Sequence, residues 1–190
     1  MSAFRPAYVS RLSCSRPVAH ASGTLRRSVS KRGTGQATPS SSNQWLQIAV
    51  RALARSDRTT VQIEQLLEAK GASPAMVRAT IKRLIGLRYL DDVAFAARWA
   101  ERRLARMPMG RARLQEELCA TGCSEQIVQA TLRAIYHKMS EQDFAQQVVT
   151  MAGQINSVEA RSRLVRRLNQ RGFDEDTIET VLGPLMREES

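Results

Sequence analysis

The chain has 190 residues, with 29 Lys and Arg against 18 Asp and Glu, and a formal net charge of +11. This length suggests one domain or a tandem array of small units, and the absence of any run of about 18 apolar residues excludes a membrane-spanning helix. The N-terminal sequence also contains no continuous apolar segment of the kind that predicts a secretory signal.

The composition favours helices. Aromatic residues make up only 5% of the chain, and the apolar residues are mostly Ala, Leu, Val and Ile. Three cysteines cannot pair completely within one chain, which favours a reducing compartment. Two histidines are too few for most catalytic or zinc sites that rely on His.

Most of the net charge lies in residues 1–43, which carry seven basic residues and no acidic one. Ser, Arg, Gly, Pro and Thr dominate this segment, and such a composition buries too little apolar surface to order the chain. We interpret it as a disordered N-terminal tail. Two alternatives stay open, namely an extension from an early start codon and an organellar transit peptide, which is also rich in Arg and Ser.

The remainder of the chain repeats with a period of 51 and then 50 residues when Gly71, Gly122 and Gly172 are aligned. Apolar residues recur eight and four positions before each glycine, and six, ten and thirteen positions after it. Ser or Asp stands two positions after it. This pattern predicts a helix that ends at a left-handed glycine, followed by a helix with a Ser or Asp N-cap.

A further helix precedes each pair and completes a three-helix unit. These additional helices are predicted over about 44–55, 92–106 and 141–153. The fold class is therefore all-α, with three tandem three-helix repeats in an elongated, curved array behind the tail. The repeats are assigned to residues 44–90, 91–139 and 140–190. Pro184 predicts a kink or an early end of the last helix near Leu182.

We find no pattern typical of an active site. The glycines are isolated and form no phosphate-binding loop. Cys119 and Cys123 are four residues apart, but no His lies near them and Gly122 ends the helix between them, so packing is favoured over metal binding. Glu117 is expected to pair with Arg113. We therefore expect no enzyme, no metal and no cofactor.

Arginines are concentrated in the middle repeat. Arg98, Arg102 and Arg106 are spaced by about one helical turn, and because like charges at this spacing repel, they indicate an anionic partner. Arg111 and Arg113 begin the next helix, where free amides would also face an anion. Phe95 and Trp99 stand beside the three arginines and are interpreted as core residues.

A second arginine cluster lies on the penultimate helix. Its contact candidates are Arg163, Arg166 and Arg167, flanked by Arg161 and Arg171. A solvated helix face is the alternative interpretation of this cluster.

The middle repeat also contains a long motif, L-D-D-x-x-F-A-x-x-W-x-x-x-R followed by G-x-x-x-L-x-x-E-L-x-x-x-G. Its distinctive members are Asp91, Asp92, Phe95, Trp99, Arg103, Gly110, Glu117 and Leu118. This motif resembles the signature of the RecX family of regulatory proteins. The resemblance covers about residues 44–187, because that family is also built from three tandem three-helix repeats.

The resemblance implies a non-enzymatic protein that lies in the groove of the RecA recombinase filament. Family members usually inhibit the ATPase, strand-exchange and coprotease activities of RecA, in recombination and the SOS response. The resemblance also implies weak, non-specific binding to single- and double-stranded DNA, no membrane partner, a monomer and the bacterial cytoplasm. The family often has Lys before the repeat-ending glycine, where this chain has Thr121. Two interpretations stay open: a basic contact is missing here, or Lys70 and Arg171 of the outer repeats supply it.

Several motif residues have structural interpretations. Asp91 or Asp92 is expected to cap the helix that follows, and the motif comparison favours Asp92. Phe95 and Leu118 are expected to pack that helix. Arg103 is expected to be partly buried beside a carboxylate.

Two other functions stay open. A helix-turn-helix nucleic-acid-binding protein would carry basic residues on the last helix of each unit. Residues 125–136 of repeat 2 contain only Arg133 and residues 175–186 of repeat 3 contain no Lys or Arg, whereas repeat 1 has Arg78, Lys82 and Arg83. The other possibility is a helical-repeat scaffold for a partner protein.

Overall fold

The computed structural model describes residues 39–153 and 157–187, with side chains from 43 to 183 within those ranges. Over these residues the chain forms nine α-helices and no β-strand. The helices are α1 (Pro39–Arg55), α2 (Thr60–Ala69), α3 (Pro74–Gly86), α4 (Asp92–Arg106), α5 (Arg111–Ala120), α6 (Glu125–Lys138), α7 (Glu141–Ala152), α8 (Val158–Gln170) and α9 (Glu175–Arg187). They pack in consecutive groups of three, which confirms the all-α fold of three three-helix repeats. The elongation and curvature of the array stay predictions.

The aligned glycines end α2, α5 and α8 as predicted. Gly71, Gly122 and Gly172 have φ values of +90°, +88° and +76°, the left-handed region that favours glycine. The apolar residues four positions before them, Leu67, Leu118 and Leu168, are fully buried. The sequence period is therefore a period of helix ends and core positions.

The predicted N-caps of the third helices form in two repeats. The Ser73 hydroxyl accepts a hydrogen bond from the Met76 amide at 3.4 Å, and the Asp174 carboxylate accepts one from Thr177 at 2.7 Å. Ser124 occupies the N-cap position of α6 but its side chain accepts no amide bond, so that part of the prediction is wrong. A serine at the N-cap position therefore does not always point its hydroxyl at the free amides of the helix.

Helix α1 begins earlier than expected. The predicted start was 44, but the helix begins at Pro39, so 39–43 belong to the helix rather than to a disordered tail. Proline suits the first helical turn because its missing N–H needs no partner there. Arg83 of α3 donates to the Asn43 side chain at 3.3 Å and holds this turn. The rest of the predicted tail, residues 1–38, lies outside the described residues.

Helix α9 continues past Pro184 to Arg187, so the predicted early end near Leu182 is wrong. A proline in a helix removes one backbone hydrogen bond. Ile178 and Leu182 are buried in the core that α9 shares with α7, and this packing outweighs the lost bond. The alternative prediction, a kink at this proline, stays a prediction.

The apolar core divides into two clusters. Repeats 2 and 3 share one cluster, while repeat 1 has its own. Tyr136 joins repeats 2 and 3, because its ring meets that of Phe144 edge-on at 5.6 Å and its hydroxyl donates to the Met109 carbonyl at 2.9 Å. Within the described ranges, no buried apolar cluster bridges repeats 1 and 2.

The same polar contact recurs at both junctions between repeats. Asp92, the first residue of α4, accepts a hydrogen bond from the Thr60 amide, the first of α2, at 2.8 Å. Glu141, the first residue of α7, accepts one from the Arg111 amide, the first of α5, at 2.9 Å. Helix starts leave such amides unpaired. Each carboxylate therefore caps a helix of the preceding repeat.

The glycine turns of repeats 2 and 3 pack on the same helix starts. The Thr59 hydroxyl donates to the Thr121 carbonyl at 2.8 Å, and the Gly110 amide donates to the Arg171 carbonyl at 2.9 Å. Each turn therefore meets the N-terminus of the second helix of the preceding repeat. The internal period of the sequence thus also sets how neighbouring repeats join.

Candidate functional site

The three predicted arginines of α4 lie on an exposed face. Arg98 and Arg102 have 53% and 58% of their side chains exposed. Arg106 is also exposed, and it forms no ion pair with any residue that the structure describes. The structure therefore brings the three together in one stripe, as their spacing predicts.

An acidic residue that the sequence analysis missed contacts this stripe. The Asp57 Oδ2 atom lies 3.4 Å from Arg98 Nε and 3.2 Å from Arg102 Nη2. Asp57 belongs to the connection between α1 and α2. No local signal points to this contact, because Asp57 is 41 and 45 residues away from its partners along the chain.

The aromatic residues of α4 pack inward. Phe95 is buried, and the partly buried Trp99 lies against the cluster shared by repeats 2 and 3. Their interpretation as core residues is confirmed, and they do not belong to the exposed stripe.

Arg103 faces the interior and pairs with a carboxylate as predicted. Its Nε and Nη2 atoms donate to the two oxygens of Glu117 at 2.6 and 2.9 Å. Arg113 Nε donates to the same carboxylate at 3.1 Å, which confirms the expected pair within α5. The hydrogen bond from Arg103 is the main reason that the pKa of Glu117 lies below its usual range.

The N-terminus of α5 is occupied from within the chain. The Gly110 amide donates to the Arg171 carbonyl and the Arg111 amide donates to the Glu141 carboxylate, so these two amides face groups of the chain itself rather than an external anion. The guanidinium of Arg111 lies 5.0 Å from the centre of the Tyr136 ring, and Arg113 donates to the Gln170 carbonyl at 3.0 Å. Arg111 through Glu141, and Arg113 through Gln170, therefore make contacts that join repeats 2 and 3.

The α8 arginines have a different environment. Arg163, Arg166 and Arg167 are exposed, and Arg163 Nε donates to the Glu159 carbonyl in its own helix at 3.2 Å. Arg171 is half-buried and donates to the Pro108 carbonyl at 3.2 Å. Burial is the main reason that its pKa is lowered. Arg163, Arg166 and Arg167 thus form an exposed face of α8 to which the half-buried Arg171 does not belong.

The acidic motif residues divide their roles between two repeats. Asp91 is the N-cap of α4, and its carboxylate accepts from the Ala94 amide at 2.9 Å. The motif comparison favours Asp92 as the cap of its own helix, α4, and this prediction is wrong. The Asp92 carboxylate instead caps α2. An N-cap residue must precede the first helical turn, and Asp92 is already helical. Leu118 is buried in the core as expected.

The described part of the chain holds no group of three or more His, Cys, Asp or Glu arranged for a metal ion. Cys123 is buried, and burial raises the pKa of its thiol. In the same part of the chain, no helix is long and apolar enough to cross a membrane.

Comparison with known proteins agrees with this architecture. Residues 46–84 match the family model of the first three-helix domain of RecX. A regulatory protein RecX from Mycobacterium avium (strain 104) is 27% identical over 158 residues, covering 79% of this chain and 90% of the relative. The chain is therefore similar to RecX regulatory proteins over most of its length. A regulatory protein RecX from Chlorobium phaeobacteroides (strain BS1) is 28% identical over 140 residues, covering 74% of this chain and 92% of the relative.

Two solved RecX structures share the fold. The crystal structure of RecX from Lactobacillus salivarius superposes with a TM-score of 0.67 at 18% identity, over 77% of this chain and 97% of that one. A second RecX crystal structure gives a TM-score of 0.61 at 17% identity, over 74% and 70% of the two chains. Three observations thus agree: the motif of repeat 2 resembles the RecX signature, repeat 1 matches a RecX family model, and the described helices have the fold of solved RecX structures.

Proposed function

We propose that this chain binds the RecA–DNA filament and inhibits its ATPase, strand-exchange and coprotease activities, in recombination and the SOS response. The observation that carries the proposal is the exposed stripe of Arg98, Arg102 and Arg106 on the middle repeat of a RecX fold. Such a filament offers both phosphates and protein side chains, and guanidinium groups bind phosphate and carboxylate oxygens alike.

The charge distribution supports a mixed partner of protein and DNA. From residue 44 onward the chain carries 22 basic and 18 acidic residues, so its binding to bare DNA should be weak and non-specific. In this proposal the protein acts by binding, as a monomer in the bacterial cytoplasm, without a cofactor or a reaction of its own. Arg163, Arg166 and Arg167 form a second contact candidate on α8.

Charge reversal of the α4 stripe tests the proposal. The variant Arg98→Glu, Arg102→Glu, Arg106→Glu should lose inhibition of the RecA ATPase on single-stranded DNA by at least about tenfold, because each reversal turns an attraction into a repulsion. A control variant, Arg51→Glu, Arg55→Glu, Arg133→Glu, changes the net charge equally at exposed residues elsewhere. Equal inhibition by wild type and the stripe variant would contradict the assigned contact, and no effect of the folded wild type on RecA would contradict the function.

A nucleic-acid-binding protein acting without RecA is the second candidate. It is favoured by Arg78 and Lys82, which are exposed and one turn apart on α3, the last helix of repeat 1. This candidate predicts tight DNA binding with a steep salt dependence and no effect on RecA ATPase. Titration of labelled DNA at several salt concentrations, with the ATPase assay alongside, separates the two functions.

A further inference from the structure

Two guanidinium groups converge on one carboxylate oxygen at the surface of α4. Arg98 Nε and Arg102 Nη2 lie 3.4 and 3.2 Å from Asp57 Oδ2. All three side chains are substantially exposed, with 40% of Asp57 open to solvent. This is the geometry with which two arginines hold a single anionic oxygen.

The repeats provide an internal control for the role of this contact. The carboxylate cap between repeats occurs at both junctions, as Asp92 on Thr60 and Glu141 on Arg111. Among the described residues, the Asp57 contact has no counterpart between repeats 2 and 3. In the register that aligns Asp92 with Glu141, Arg98 and Arg102 correspond to Gln147 and Met151 of repeat 3. In the register that aligns Gly71 with Gly122, Asp57 corresponds to Pro108 of repeat 2. The junction between repeats 2 and 3 therefore forms without this contact.

Asp57 does not cap the helix that follows it. The N-cap of α2 is Thr59, which forms a capping box with Gln62, so the helix start does not depend on Asp57. Ion pairs between exposed side chains are weak and are screened by salt. A stronger anion can therefore displace the carboxylate at little cost.

We propose that Arg98 and Arg102 form a subsite for a backbone phosphate of nucleic acid, and that Asp57 occupies this subsite in the unbound protein. A phosphate oxygen replaces Asp57 Oδ2 on binding, and Arg106, one turn further along α4, contacts the next phosphate. The even spacing of the three arginines suits the regular charges of a nucleic-acid backbone better than an irregular acidic protein surface. This inference deepens the DNA contact within the proposed function.

The test is the Asp57→Asn variant of the full chain, titrated with a fluorescein-labelled oligothymidylate in a fluorescence anisotropy assay. Removing the competing carboxylate should lower Kd by about two- to tenfold at low salt. Glu68→Gln is the matched control, since Glu68 is an exposed acid of repeat 1 and forms no ion pair with a described residue. It should change Kd by less than about twofold. Far-UV circular dichroism checks folding, and Asp57→Ser replaces the variant if it fails to fold.

A double-mutant cycle decides whether Asp57 acts through the two arginines. In an Arg98→Gln, Arg102→Gln background, Asp57→Asn should leave Kd unchanged. An equal effect in both backgrounds, an effect equal to that of Glu68→Gln, or no oligonucleotide binding by any form would overturn the proposal. The proposal would also be overturned if Asp57→Asn bound polyglutamate more tightly but did not bind the oligonucleotide more tightly. That result would indicate an acidic protein partner. If the cycle holds but RecA ATPase is unaffected, the subsite stands and the proposed function fails.

Discussion

The arginines of this chain differ in what their guanidinium groups contact. Arg103 donates two hydrogen bonds to Glu117, and only 28% of its side chain is exposed. Arg106, three residues further along α4, points to solvent. The position of Arg103 near the apolar face of its helix predicts its burial. Charge alone therefore does not separate arginines that hold the fold from arginines that are free for a partner.

Replacing the shared carboxylate of this cluster should destabilise the protein. Glu117→Gln leaves Arg103 half-buried without its charged partner, so the free energy of unfolding at pH 7 should fall by about 1–3 kcal/mol. Urea denaturation measures this change. The neighbouring Glu116 is exposed, and Glu116→Gln should cost less than about 0.5 kcal/mol. Equal effects of the two substitutions would contradict the structural role of Glu117.

The same pair should make stability depend on pH. Because Arg103 lowers the pKa of Glu117 in the folded protein, the carboxylate contributes its full stability above its pKa in the unfolded chain, about 4.3. This contribution is lost as the pH falls through the lower folded pKa. The stability difference between wild type and Glu117→Gln, measured by urea denaturation from pH 7 to pH 3, should therefore shrink below about pH 4.

At the scale of the helices, the close approach of two turns explains a glycine of the motif. Gly110 is the N-cap of α5 and is fully enclosed by the turn that follows α8. A Cβ atom on Gly110 would overlap the carbonyl of Gly172 and lie 2.6 Å from the Phe173 nitrogen. Glycine has no Cβ atom and therefore permits a close approach, but only the packed helices identify the approaching group as backbone of repeat 3.

The variant Gly110→Ala should separate these two turns. We expect the free energy of unfolding to fall by about 1–3 kcal/mol. The backbone of the variant must shift to make room for the added methyl group, and this shift weakens the hydrogen bond from the amide of residue 110 to the Arg171 carbonyl. Gly86→Ala, at the exposed end of α3 with open space around it, is the control and should be neutral or stabilising by up to about 1 kcal/mol. Thermal and urea unfolding measure both changes. A neutral Gly110→Ala would contradict the close packing.

At the scale of the whole described body, the two junctions between repeats are formed by different kinds of contact. Repeats 2 and 3 share an apolar cluster, whereas repeat 1 joins repeat 2 through polar contacts such as Asp92 to Thr60 and Thr59 to Thr121. Hydrogen bonds near solvent contribute less than a shared apolar core. Repeat 1 is therefore expected to be the unit that opens first.

Adjacent aspartates offer a direct test of this arrangement. Asp92→Ala should reduce hydrogen-exchange protection at the start of α2 in repeat 1, whereas Asp91→Ala should reduce it at the start of α4 in repeat 2. Each should cost about 0.5–2 kcal/mol, as for the loss of a helix cap. Hydrogen exchange followed by mass spectrometry resolves the two regions. Loss of protection at α4 alone in both variants would show that Asp92 does not join the repeats.

The helices, the repeat and the apolar core positions follow from local sequence patterns. Helix ends and apolar faces depend on neighbours within a few residues, so glycines such as Gly122 and leucines such as Leu118 indicate them directly. The family resemblance came from a motif of repeat 2, and the pair of Arg113 with Glu117 came from local spacing. The carboxylate that pairs with Arg103 was identified only by the packed helices. The limits of α1 and α9 were missed, because a helix such as α9 extends past a proline when its face is buried against another helix.

The tertiary structure decided which charged groups meet. Asp57 reaches Arg98 and Arg102 across more than forty residues, and Asp92 caps a helix of the preceding repeat. Both contacts join elements that are far apart along the chain, and no periodicity encodes such a pairing. A free and an occupied arginine look the same in sequence, because their difference lies in the carboxylates and carbonyls that folding brings beside them.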